Sequence, residues 1–82
     1  MIKEELLKIL RAIEDLEDVD FDSEKKLVTN GILDSYSILV LVTQIERKFQ
    51  VRLSIDGPLG NHFDSIEKME NMIHNSRKAS AG

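Results

Sequence analysis

The sequence predicts an all-α fold: a small up-and-down helical bundle of three main helices, with room for a fourth of one turn and a long first loop. Three observations lead there. Apolar residues recur at steps of three and four in three separate segments, no stretch alternates strongly enough to defend a strand, and glycine, proline and the densest run of acids fall between the periodic segments. With 82 residues the chain is expected to be one domain over 1–76 with a frayed tail over 77–82. A chain of this size buries only about 60% of its unfolded surface, which leaves little room for a deep substrate cavity.

The first helix is expected over residues 2–16. Ile2, Leu6, Ile9, Ile13 and Leu16 share one face, while Glu4, Lys8, Arg11 and Glu14 fall elsewhere. Glu4 and Lys8 stand in the favourable i, i+4 order. From 17 to 34 the pattern breaks into a segment long for a loop in so small a domain, and such loops tend to be functional or packed. Val19, Phe21, Leu27, Val28, Ile32 and Leu33 give it apolar anchors, and Asn30-Gly31 marks a turn.

Asp34 or Ser35 is suited to cap the helix that follows, over 36–49. At about 100° per residue, Ile38, Leu41, Val42, Ile45 and Phe49 group on one face with Leu39 at its edge, and Tyr36, Val40, Thr43, Gln44 and Arg47 lie opposite. In "QVRLSIDGPLGNH", Gly57-Pro58 and Gly60 discourage more than a turn of helix, while Leu53, Ile55 and Leu59 are expected to dip into the core. "FDSIEKMENMI" starts a last helix, with Asp64 and Glu67 spaced as a capping box and Ile66, Met69, Met72 and Ile73 on one face. The three methionines, counting Met1, suit core packing without any cofactor.

Bulk composition removes several function classes. The net charge is -4 with no block of Lys or Arg, a poor match to nucleic acid or to an anionic membrane surface. The acids Glu14, Asp15, Glu17, Asp18, Asp20, Asp22 and Glu24 crowd one stretch, as expected of a solvated loop or helix end. There is no cysteine, hence no disulfide, thiolate metal site or catalytic thiol. The apolar run 38–42 is far too short to span a bilayer. A soluble, cytoplasmic monomer is expected, with no membrane insertion.

Chemistry of its own is hard to find. A serine nucleophile at Ser35 needs a base in reach and a group that orients the base, and His62 and His74, the only histidines, are not placed locally to serve. Their spacing is no metal site either, and no glycine-rich phosphate cradle is present. The expectation is therefore no enzyme, no catalytic residue and no metal. Ser35 is better suited to being acted upon. A helix N-terminus favours an anionic substituent such as a phosphate ester, and the neighbouring Asp34 offers an oxygen ligand to a divalent metal brought by a modifying enzyme.

"LVTNGILDSYSILVLVTQIERKFQVRL" resembles the centre of an acyl carrier protein, in which an apolar loop runs into Asp-Ser, a large apolar residue and a helix that ends in a charged cluster and Phe. Leu27, Gly31, Asp34, Ser35, Leu41, Ile45 and Phe49 stand where that pattern wants them. The likeness extends over nearly the whole chain, from the amphipathic first segment to the last helix opening at "FDSIEKM". The resemblance implies that Ser35 carries 4'-phosphopantetheine, transferred from coenzyme A by a phosphopantetheinyl transferase, with Asp34 as the flanking acid. The arm then holds an acyl or aminoacyl group as a thioester, supplied by a loading ligase or synthase and passed to downstream acyl-transfer enzymes. A chain without cysteine must borrow its thiol, and such an arm provides one.

Two departures bear on partner choice. Tyr36 follows the serine where the family commonly has Leu. The outer face of the second helix, where fatty-acid carriers typically place acids, here has Ser37, Val40, Gln44 and Arg47, with Tyr36 and Thr43 beside them. Charge complementarity sets partner choice and encounter rate more than affinity, so this face is expected to dock by shape and apolar contact, with Arg47 seeking an acid. That suits a specialised carrier of a secondary-metabolite pathway, or one similar to the D-alanyl carrier of cell-wall modification, rather than a housekeeping fatty-acid carrier. The alternative from a different class is an unmodified helical protein-interaction module that uses the same face.

Overall fold

The computed structural model describes residues 2–13 and 15–81, with side chains as far as residue 77. Met1 and Glu14, counted above among the methionines and the acid run, lie outside the described residues. Four helices follow in order: α1 (Ile2–Arg11), α2 (Ser35–Phe49), α3 (Gly60–Phe63) and α4 (Ile66–Ala81). Among the described residues there is no strand. The architecture is the small helical bundle expected, with α1 packed against α2 and α4.

The core is one cluster fed by every element. Leu6 and Leu10 come from α1, Ile38, Leu41, Ile45 and Phe49 from α2, Phe63 from α3, and Ile66, Met69, Met72 and Ile73 from α4. The long first loop contributes Phe21, Leu27 and Leu33, all essentially without exposed surface. The loop is thus part of the core, pinned as its apolar anchors predicted, rather than a surface connection.

Helix α1 stops at Arg11, five residues short of the expected end. Lys8 and Arg11 occupy its last turn, where the helix dipole favours cations, and the acids that follow oppose continuation. Asp15 takes a left-handed φ of 70°. Ile13 and Leu16 still reach the core, because consecutive turns (Ile13 N–H to Leu10 C=O and Leu16 N–H to Ile13 C=O, both 3.1 Å) carry them there. The expected Glu4–Lys8 pairing is replaced: Glu5 lies 3.7 Å from Lys8 and 3.1 Å from Lys48, tying α1 to the end of α2.

The second half holds two further corrections. Leu59 is 37% exposed rather than in the core, although Leu53 and Ile55 are half-buried as expected. The one-turn helix for which the sequence left room is Gly60–Phe63, as expected. At the start of α4 the cap is Ser65, whose hydroxyl accepts from Lys68 N–H at 3.2 Å, while Asp64 turns away from its expected capping role and bonds across to the first loop. Helix α4 is the last element and ends at Ala81.

Candidate functional site around Ser35

Asp34 makes the site. It sits in extended conformation as the N-cap of α2, and its Oδ1 accepts from Ser37 N–H at 2.8 Å. This settles which of the two adjacent residues is the cap. Ser35 is therefore the first helical residue, and among the described residues its hydroxyl makes no hydrogen bond. The side chain is exposed. The turn that delivers it uses Gly31 at φ 78°, where open space surrounds the missing Cβ, so the backbone angle alone calls for glycine.

The Asp34 carboxyl is held below the usual carboxylate range, chiefly by the Ser37 backbone N–H, so the group beside the free hydroxyl is an anion at neutral pH. The site therefore sets an ionised oxygen donor next to an unbonded hydroxyl at the N-terminus of a helix of 15 residues, the end where the helix dipole favours negative charge. Asp64 is likewise held low, first by the Thr29 backbone N–H and against the opposing effect of burial. Glu5, Asp20 and Glu67 are lowered by bonds to Lys48, Ser23 and Lys25.

An acid dependence follows. For a carboxyl whose native pKa is depressed, the unfolded chain holds more protons in the window between the two values, so stability rises with pH through that window. The stabilisation is fully present above the ordinary carboxylate value of about 4 and is lost as pH falls through the lower native values. Thermal unfolding midpoints measured from about pH 6 to about pH 3 should fall steeply at the acid end, and less steeply in Asp64→Asn.

The outer face of α2 partly differs from its sequence reading. Tyr36 is 72% exposed, and Thr43, Gln44 and Arg47 are exposed too. Ser37 is buried and Val40 half-buried, so Ser37 drops out of any docking face. Leu39, assigned to the edge of the core face, is 66% exposed and joins Tyr36 beside Ser35. Thr43 donates its hydroxyl to the Leu39 carbonyl at 3.0 Å. Tyr36, Leu39, Thr43 and Arg47 thus form a line down the helix, apolar near Ser35 and cationic at the far end.

The histidines are elsewhere. His62 Nε2 lies 3.0 Å from the Asp56 carbonyl oxygen. His74 lines an open groove of about 610 Å³ with Lys48, Phe49 and Arg77, at the opposite end of α2 from Ser35. Among the described residues no helix is long and apolar enough to cross a membrane. No family model, curated protein or solved structure matches the chain.

Proposed function

We propose that the protein is a carrier: Ser35 is the attachment point for 4'-phosphopantetheine, and the bundle presents the loaded arm to partner enzymes. The observation that carries this reading is the exposed, unbonded Ser35 hydroxyl, placed beside a capping carboxylate at the start of α2. In the modification, Ser35 Oγ forms a bond to the coenzyme A phosphorus that bears the pantetheine, the phosphoanhydride bond from that phosphorus to the adenosine 3',5'-bisphosphate leaving group breaks, and the hydroxyl proton passes to a base of the transferase. Asp34 is the flanking acid available to a divalent cation in that complex. When bound, the arm supplies the terminal thiol that this chain lacks, on which an acyl or aminoacyl group rides as a thioester.

Wild-type protein incubated with coenzyme A, magnesium and a broad-specificity phosphopantetheinyl transferase should gain the mass of one arm. An unchanged intact mass, with folded protein and a transferase shown to be active on another substrate, would count against the proposal.

The face next to Ser35 supports docking by apolar contact. Tyr36 and Leu39 stand out from it, its outward line holds no carboxylate, and Arg47 makes no ion pair among the described residues. A specialised pathway fits this face better than fatty-acid synthesis. Exposed charge pairs are what salt screens, so association with a loading or acyl-transfer enzyme is expected to change little with ionic strength. A steep salt dependence removed by neutralising Glu17, Asp18 and Asp20 would place the interface on the first loop.

The same exposed pair favours one second reading, an unmodified interaction module that binds a protein through Tyr36 and Leu39. Partner binding that survives both Ser35→Ala and the absence of any arm would select it.

A further inference from the structure

Asp64 is a buried carboxylate that takes no part in the site as described, yet its bonds reach across the sequence to the segment that leads into it. Its Oδ1 accepts from the backbone N–H groups of Val28 at 2.8 Å and Thr29 at 3.0 Å, and its Oδ2 accepts from the Thr29 hydroxyl at 2.9 Å. Its backbone carbonyl accepts from Leu27 N–H at 2.9 Å. Three consecutive loop residues are thereby fastened to one residue between α3 and α4. Gly60 completes the knot: a Cβ there would lie 2.8 Å from Asp64 Oδ2, so the first residue of α3 leaves the carboxylate its place.

The connection continues to Ser35. Leu27, held through its N–H by Asp64, accepts through its own carbonyl from Leu33 N–H at 3.0 Å. Leu33 is buried and directly precedes Asp34, whose carboxylate fixes the first turn of α2 through Ser37. The intervening residues are closed by Asn30 N–H to Lys26 C=O at 2.8 Å and Gly31 N–H to Val28 C=O at 3.0 Å. A path of hydrogen bonds therefore runs from the α3–α4 corner through Leu27 to Leu33, the residue before Asp34 and two before Ser35. Coupling between separated places needs such a contiguous network with an element that has two arrangements.

We propose that Asp64 is a positioning residue for Ser35: its carboxylate latches Val28 and Thr29, beside the Leu27 that its backbone carbonyl holds, to the corner between α3 and α4, and release of that latch changes how the Ser35 hydroxyl is presented. What is done at Ser35 rests on the carrier reading, whereas the latch does not. Asp64→Asn separates charge from geometry, because its amide oxygen still accepts from both backbone N–H groups and its NH₂ donates to the Thr29 hydroxyl. Glu46→Ala is the control. It removes a backbone tie of the same kind, Leu53 N–H to Glu46 Oε2 at 2.9 Å, at the other end of α2.

The test combines amide hydrogen exchange of the full chain with kcat/KM for arm transfer from coenzyme A by the broad-specificity transferase. In Asp64→Ala, exchange at Val28, Thr29, Leu33 and Ser37 should rise about tenfold or more relative to Ile45 and Ile73, with kcat/KM lowered about tenfold. Asp64→Asn should return both readings to wild type. Thr29→Val, which removes one of the bonds and stands in should Asp64→Ala not fold, should raise Leu33 exchange about threefold. The proposal is overturned by faster exchange that stops at Thr29 and leaves Leu33 and Ser37 unchanged. Transfer slowed as much by Glu46→Ala as by Asp64→Ala, at equal folded fraction, overturns it too. Exchange that spreads to Ser37 in a protein whose wild type accepts no arm upholds the latch and removes the carrier reading.

Discussion

Phe21→Ala is expected to cost about 3–5 kcal/mol, the loss typical of a fully buried aromatic side chain. A domain of this size has a total stability of only about 4–12 kcal/mol, so the loss takes a large fraction of the total. The size of the effect follows from where Phe21 lies. It belongs to no helix, yet it has no exposed surface and joins Leu27, Leu33 and Phe63 in the one core cluster. Isolated helices of 10 to 16 residues are marginal in water, so the loop's three buried side chains are needed to close the faces that α1, α2 and α4 present. Urea unfolding followed by circular dichroism reads this directly. A loss under about 0.5 kcal/mol, the ordinary size of a surface change, would mean that the loop is an accessory and the helices hold themselves.

The second large effect separates two adjacent residues. Ser35→Ala should abolish attachment of the arm altogether and leave stability within about 0.5 kcal/mol of wild type, as for a surface substitution, because its hydroxyl bonds to nothing among the described residues. Asp34→Ala should do the reverse in stability, costing about 1 kcal/mol through loss of the Ser37 bond, while a hydroxyl remains to be modified. Paired melts and intact masses of the two variants check it. A Ser35→Ala protein as destabilised as Asp34→Ala would show that serine is a structural cap, and the reason for displaying it at this threshold would disappear.

Much of this molecule is legible in one dimension, and the illegible parts share a cause. The core faces of α2 and α4 follow from spacing alone, since Ile38, Leu41, Ile45 and Phe49, and Ile66, Met69, Met72 and Ile73, must each point one way. Leu39 is a closer case: with Val42 counted, the centre of the apolar face of α2 lies about 104° from Leu39 and about 96° from Ser37 at 3.6 residues per turn, so angle alone does not say that the first is exposed and the second buried. Asp64 could not have been read. Its local spacing to Glu67 fits a cap, but its partners Val28 and Thr29 lie 36 and 35 residues away, and no local pattern announces a bond of that separation. The end of α1 is intermediate: the acids after Arg11 carry a signal against continuation, but the apolar steps to Ile13 and Leu16 outweighed it. At the site itself, Asp34 and Ser35 were visible as a pair, while the assignment of cap and free hydroxyl between them needed coordinates.

Thiol titration measures the central claim most directly. The polypeptide contains no sulfhydryl of its own, so any group that reacts with a thiol reagent under denaturing conditions has been brought in from outside. Protein treated with coenzyme A and transferase, then freed of small molecules, should yield about one thiol per chain (one attachment serine, one terminal sulfhydryl on the arm) and none before treatment or in Ser35→Ala. A reading of zero after treatment, or an undiminished reading in Ser35→Ala, would contradict it.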